Sequence, residues 1–154
     1  MKKPREQIAA LPLRWKDDET VEVLMITSRD TGRWIVPKGW TMKDVKPWAA
    51  AAIEALEEAG AEGHIAREVF GTYGYDKILG DGTAQPCRVR VYPMIVDNLK
   101  TDWKEKGERT RKWFPLSEAV KLVDEPELAD MLARLTVKPK KVPVAGPMLR
   151  RAAS

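Results

Sequence analysis

Residues 37–61, PKGWTMKDVKPWAAAAIEALEEAGA, constrain this chain more than any other stretch. They read as a tight loop feeding a helix. Gly39 supplies the backbone freedom that a tight loop needs. Pro47 suits a first helical turn, where its missing N–H is not required. The alanines that follow are the strongest helix formers, and Gly60 stands where helices commonly end in glycine. Glu54, Glu57 and Glu58 lie three and four residues apart and so share one face. Ala49, Ala52, Leu56 and Ala59 form the opposite stripe, small enough for close packing on a sheet. The acids fall in the last turns, where the negative end of the helix dipole disfavours an anion by about 0.3–1 kcal/mol. On an exposed face this is tolerable, because like-charge pairs at this spacing cost only ~0.2–0.5 kcal/mol. In a cleft each pair repels by roughly 3 kcal/mol at a separation of ~5–6 Å and an effective dielectric near ~20. A divalent cation is the natural remedy. Mg²⁺ takes hard oxygen ligands and keeps waters that a phosphate substrate can replace.

The spacing resembles the Nudix hydrolase box, which reads Gly, five residues, Glu, seven residues, Arg-Glu-U-x-Glu-Glu-x-Gly-U, with U apolar. With Gly39 in first place, Glu54, Glu57, Glu58, Gly60 and Ala61 fall in register. Two positions depart: Val45 stands where the first Glu is expected, and Ile53 where the Arg is expected. The preceding Arg33-Trp34-Ile35-Val36-Pro37-Lys38-Gly39 is similar to the family's lead-in strand and loop. The resemblance runs over roughly residues 8–135. It is nearest to the branch that hydrolyses diphosphoinositol polyphosphates and diadenosine polyphosphates.

That resemblance implies an α/β/α sandwich with a mixed β-sheet, a small-molecule phosphoanhydride substrate, and Mg²⁺ or Mn²⁺ as cofactor. Residue by residue, Glu54 and Glu58 match metal ligands, and Lys38 matches a ligand through its backbone carbonyl. Glu57 matches the proposed general base. Thr27, Ser28, Arg29 and Arg33 match a hydroxyl- and arginine-bearing loop that contacts substrate phosphates, and Gly39 belongs to the loop at the site. Arg88 and Arg90 share a strand face, turned either to phosphates or to solvent. Glu105 or Glu108 offers a further acid, with a plain surface charge the favoured reading. Ile53 cannot make the hydrogen bonds of the box arginine. It lies at the edge of the apolar stripe, so burial is expected, with another cation, Lys38 or a neighbouring arginine, standing in.

Where the nearest branch has glycines, this chain has Lys38 and Trp40. Lys38 adds positive charge beside the phosphates. Trp40 adds bulk to stack on a base or close the pocket. The basic, histidine-containing segment of inositide-hydrolysing members matches Gln85-Pro86-Cys87-Arg88, which has lost most of that charge. Diadenosine or other nucleoside polyphosphates therefore rank above inositides. A non-catalytic nucleotide sensor with a degenerate box is the alternative, and metal-dependent turnover separates the two.

The 154 residues suit one domain. No apolar run approaches membrane-spanning length, and Met1-Lys2-Lys3-Pro4-Arg5-Glu6-Gln7 lacks the apolar region of a signal peptide. A cytoplasmic protein away from membranes is expected. One cysteine, Cys87, excludes an internal disulfide and a cysteine-based zinc site. One histidine, His64, excludes a multi-histidine metal site. The net charge of +4 is exceeded by the five basic residues of the stretch 136–154, which holds no acid. A nucleic-acid-binding body is therefore not indicated; an RNA-binding role would rest on that stretch alone. The sequence leaves oligomeric state open.

Strands are expected at Ile8–Trp15, with Pro12 suggesting a sheet edge, then at 20–26, 34–36, 64–75, 87–96 and 111–116. One helix should begin at Ser117. Another should begin at Pro126, with Leu128, Met131, Leu132 and Leu135 as core. The expected organisation is a hydrolase domain over 1–135 and a basic, flexible tail over 136–154.

Overall fold

The computed structural model describes residues 2–153. The chain order is β1 (Arg5–Trp15), β2 (Val21–Thr27), β3 (Trp34–Ile35), β4 (Lys38–Trp40), α1 (Pro47–Ala59), β5 (Ala61–Ile65), β6 (Gly71–Ile78), β7 (Ala84–Leu99), β8 (Arg111–Pro115), α2 (Leu116–Leu122), α3 (Pro126–Val137), a 3₁₀ turn (Pro139–Lys141) and α4 (Ala145–Ala153). The strands form one mixed sheet in which β1 and β7 run parallel and the other pairs are antiparallel.

Alternation along β1 divides the core. Ile8 and Ala10 face a cluster with Leu24, Ile26, Tyr92, Met94 and the alanines of α1. Ala9, Leu11 and Leu13 face a second cluster with Val23, Met25, Val89 and Val91, covered by α2, α3 and α4. Leu128, Met131, Leu132 and Leu135 are buried there. The result is the expected α/β/α sandwich.

Pro12 is central, not at an edge. β1 pairs with β4 through Gln7–Ala9 and with β2 through Leu13–Trp15, leaving a gap on that flank. Ala10 donates its N–H to Pro37 there at 3.1 Å. Backbone groups alternate sides along a strand, so an N–H at position 12 would point to the same gap. Proline loses no ladder bond in that place.

The long strand expected over 64–75 is two strands. β5 pairs with one part of β7 and β6 with another. Ala66 and Phe70 donate to Pro93 and Val91, and the residues between them loop out. α1 also differs from expectation. Its sheet face is Ala50, Ala51, Ala55 and Ala59, with Glu58 buried beside them. Ile53 is 37% exposed, because it sits two residues, ~200° around the helix, from both Ala51 and Ala55.

The expected flexible tail is ordered over its described residues. α3 runs to Val137, and α4 packs back onto the sheet with Ala145 and Leu149 fully buried. Trp15 Nε1 donates to the Leu149 carbonyl at 2.9 Å. Prolines 139, 143 and 147 break up the stretch and hide the spacing of Ala145, Met148 and Leu149, which is a single helical stripe.

Candidate functional site

The C-terminal turn of α1, the β3–β4 region and the loop 100–110 enclose a cleft of about 430 Å³. Gly60 ends α1 in the left-handed conformation, φ 65°. The acids near this end sit against donors that answer the helix dipole. Arg111 Nη1 donates to the Ala59 carbonyl at 2.9 Å and its Nη2 to Lys100 at 2.8 Å. Trp103 Nε1 donates to the Glu58 carbonyl at 3.3 Å, and the Arg111 guanidinium lies 3.8 Å from the Trp103 ring centroid. The Arg111 cation and the Trp103 N–H thus cover two carbonyls that the helix leaves unpaired.

Glu54, Glu58 and Glu105 line this cleft, and Glu57 is not among its lining residues. Glu58 is buried. Its Oε1 accepts the Lys38 backbone N–H at 3.1 Å, and its Oε2 lies 3.5 Å from Arg109 Nη2. Burial pushes its carboxyl up to about 7 against the pull of Arg109 and Lys38. Burial, followed by the neighbouring Glu58 and Glu57, raises Glu54 to about 7. Glu57 instead pairs with Lys104 at 2.9 Å. Glu105, favoured from sequence as a surface charge, is largely buried and accepts from Arg109 Nε at 2.8 Å.

Cationic groups face these acids. Lys38, Arg29, Lys77 and Arg109 all line the cleft, with Ser28, Gly39 and Trp40. Burial brings the Lys38 ammonium down to about 8, with Glu58 and Glu125 resisting. It lies 5.0 Å from the Tyr75 ring centroid, and the Tyr75 hydroxyl donates to Gln7 at 2.7 Å. Arg5 stacks on Trp40 at 4.1 Å.

Three expected phosphate contacts lie elsewhere. Arg33 is bound to Glu125 at 2.9 Å, with Asp124 at 3.6 Å, anchoring the loop to the start of α3. Thr27 is a scaffold residue: its hydroxyl accepts from the Thr110 N–H at 2.9 Å and its carbonyl from Arg109 at 3.1 Å. Arg88 is exposed, donates to Thr72 and borders a separate shallow pocket beside Cys87. Lys77 and Arg109 were missed. Two-residue alternation from Tyr73 through Tyr75 marks Lys77 as sharing their strand face, whereas no local pattern singles out Arg109.

A family model described as the NUDIX domain matches residues 4–135. The chain belongs to the Nudix family. It is 33% identical over 117 residues to the Arabidopsis thaliana protein named Nudix hydrolase 16, mitochondrial, covering 74% of this chain and 64% of that one. It is 31% identical over 128 residues to the human diphosphoinositol polyphosphate phosphohydrolase 3-beta, covering 80% of this chain and 74% of that protein. The fold is shared with a C. elegans Ap4A hydrolase, at a TM-score of 0.59 and 20% identity over 87% of this chain and 97% of that one. It is also shared with the E. coli dihydroneopterin triphosphate pyrophosphohydrolase, at a TM-score of 0.66 and 14% identity over 88% and 99%.

In the Nudix frame, the two departures from the box have clear surroundings. Val45 packs against the α1 side of the core, and Ile53 faces outward. The family implies a divalent cation, and the donors present suit one. Glu54, Glu58 and Glu105 offer hard oxygens in one cleft, and Glu54 and Glu58 are pushed up chiefly by burial, which a bound cation would offset. Among the described residues no three acidic, histidine or cysteine groups lie together as a set that could hold a metal ion unaided. Mg²⁺ does not need one, since it binds through one or two carboxylates together with waters and substrate phosphates. Among the described residues no helix is long and apolar enough to cross a membrane.

Proposed function

We propose that this protein is a divalent-metal-dependent hydrolase of phosphoanhydride bonds, with a nucleoside polyphosphate of the diadenosine polyphosphate kind as substrate. The observation that carries this reading is the sharing of one cleft by Glu54, Glu58 and Glu105 with Arg29, Lys38 and Lys77. A polyphosphate brings closely spaced negative oxygens. The cationic side answers them, through Lys38, Lys77 and the part of the Arg29 fork left by its Nη1 pairing with Glu108 at 3.0 Å. The acidic side suits the metal that accompanies such a substrate.

In the reaction a water oxygen bonds to phosphorus as the bridging P–O bond breaks in line. A divalent cation such as Mg²⁺ or Mn²⁺, when bound, would supply charge neutralisation at the phosphate oxygens and a lower pKa for the water. Glu58 and Glu54 would hold the cation, with the Lys38 carbonyl as a further ligand. Lys38 and Lys77 orient the phosphates. The water's proton passes to Glu105 as general base, because Glu105 lines the cleft and Glu57 does not. Most of the acceleration then comes from positioning and preorganised charge.

Trp40 favours a nucleoside over an inositol ring. Its indole borders the cleft and is braced by Arg5, offering an aromatic surface for a base. The human relative's name refers to diphosphoinositol polyphosphates and the C. elegans structure is an Ap4A hydrolase, so both substrates belong in the test.

The experiment is a panel of dinucleoside polyphosphates, nucleoside triphosphates and diphosphoinositol polyphosphates, with Mg²⁺, Mn²⁺ or chelator. Metal-dependent turnover with the highest kcat/KM for a dinucleoside polyphosphate is expected. Nucleotide binding without turnover would establish the sensor alternative, and a preference for the inositides would overturn the substrate assignment.

A further inference from the structure

The acids of the cleft come from two separate elements. Glu54 and Glu58 ride on α1, and Glu105 belongs to the loop between β7 and β8. The loop backbone is tied to the helix, for the Glu105 N–H donates to the Glu57 carbonyl at 3.0 Å and Trp103 donates to Glu58. Those bonds locate the chain but leave the Glu105 carboxylate free to turn. Arg109 restrains it.

Arg109 is buried, its side chain 7% exposed. Its three nitrogens reach three acceptors on three elements: Nε to Glu105 at 2.8 Å, Nη1 to the Thr27 carbonyl of β2 at 3.1 Å, and Nη2 toward Glu58 of α1 at 3.5 Å. A guanidinium is planar, so fixing any two of these directions fixes the third. The distances are unequal in a useful way. At 2.8 Å the bond to Glu105 is a close charge-assisted one, whereas 3.5 Å to Glu58 is at the outer limit of hydrogen bonding. Glu105 is held, and Glu58 is steadied while keeping an oxygen able to turn to another cation. Ile53, exposed on the far side of α1, has no donor to share this work.

We propose that Arg109 is the positioning residue of this site, aligning Glu105 of the loop with Glu54 and Glu58 of α1 through the geometry of its fork rather than through its charge alone. The inference rests on the hydrolase reading for its consequence in turnover, but not for the alignment itself.

The test uses Arg109→Lys, which keeps the charge and loses the fork, with Glu105→Gln and the double variant, all in the full chain. The first readout is amide hydrogen exchange of the metal-free protein. Arg109→Lys should raise exchange at loop residues 103–108, with the core strands and the melting temperature changed little. The second is calorimetric titration with Mn²⁺ alone. Glu105→Gln removes a negative charge beside Glu54 and Glu58, so it should weaken Mn²⁺ binding in the otherwise unchanged protein and have at least about threefold less effect in the Arg109→Lys background, as expected for residues in contact. Where turnover is measurable, Arg109→Lys should lower kcat more than it raises KM.

Unchanged loop exchange in Arg109→Lys would overturn the proposal whatever the protein hydrolyses. An equal effect of Glu105→Gln on Mn²⁺ binding in both backgrounds would overturn it too. If Arg109→Lys unfolds the chain, Arg109→Gln, whose amide ends at the level of Nε and loses the reach of the fork to Thr27 and Glu58, takes its place in the same exchange measurement. Failure of the wild-type protein to turn over any substrate would count against the hydrolase reading alone, since the exchange result stands apart from it.

Discussion

Gly39 and Glu54 are in contact across the mouth of the cleft: the place a Gly39 side chain would occupy is filled by the Glu54 carboxylate. The glycine at the head of the box therefore makes room for the first helix acid. Gly39→Ala should push that carboxylate aside and reduce kcat by at least ~10-fold, as for loss of one element of a preorganised site. The fold should persist, because the clash is with a side chain. Steady-state kinetics beside a thermal melt checks both parts; unchanged kcat would show that Glu54 need not sit against the loop.

The outward placement of Ile53 reverses the expectation drawn from sequence. Ile53→Arg puts a charge in solvent, where substitutions usually change stability by no more than about 0.5 kcal/mol. The melting temperature should shift by only a degree or two, on the scale of ~2–4 °C per kcal/mol for a chain of this size. No gain in metal affinity is expected, since position 53 does not line the cleft. A strongly destabilised variant would place Ile53 in the core after all.

Leu149 is fully buried by helix α4 against the sheet. Leu149→Ala should cost about 2–4 kcal/mol, lowering the melting temperature by about 5–15 °C. A melt unchanged within error would mean that α4 does not dock in solution.

Stability without metal should depend on pH in two windows. Burial pushes the Glu54 and Glu58 carboxyls up to about 7 in the fold from an ordinary 4.5. Between those values the folded chain binds more protons than the unfolded one, so stability is full below ~4.5 and falls as pH rises through ~7. Lys38 is lowered from 10.5 to about 8. It acts oppositely for an amine, so its burial penalty is present below ~8 and is relieved as pH rises toward ~10.5. Urea melts in chelator from pH 5 to 8 should show declining stability, and excess Mg²⁺ at pH 7.5 should restore it. Stability rising over pH 5–7 would show that these acids are compensated without metal.

Trp40 should discriminate substrates by their aromatic content. Trp40→Ala is expected to raise KM for a dinucleoside polyphosphate by about 5–150-fold, the equivalent of ~1–3 kcal/mol for one base–aromatic stack. Inorganic triphosphate, which has no base, should be affected less than threefold. Equal losses for both would make Trp40 a wall of the cleft rather than a platform.

The sequence by itself determined the elements whose signals are local. Spacing within 37–61 located the loop, the helix, its glycine stop and the acids, because helical periodicity and backbone freedom act over a few residues. The stripe of Leu128, Met131, Leu132 and Leu135 was legible for the same reason. Tertiary structure decided which way each acid points. Glu54, Glu57 and Glu58 are equivalent in spacing, yet the sheet-facing alanines rotate Glu54 and Glu58 into the cleft and leave Glu57 with Lys104. It also brought Glu105 and Arg109 to the helix from about fifty residues away, kept Pro12 in the middle of the sheet by splitting its strand's partners, and drew Leu149 into the core. Those outcomes depend on contacts between segments remote in the chain, whose energies are set by packing and paired charge and leave no periodic trace in the residues themselves.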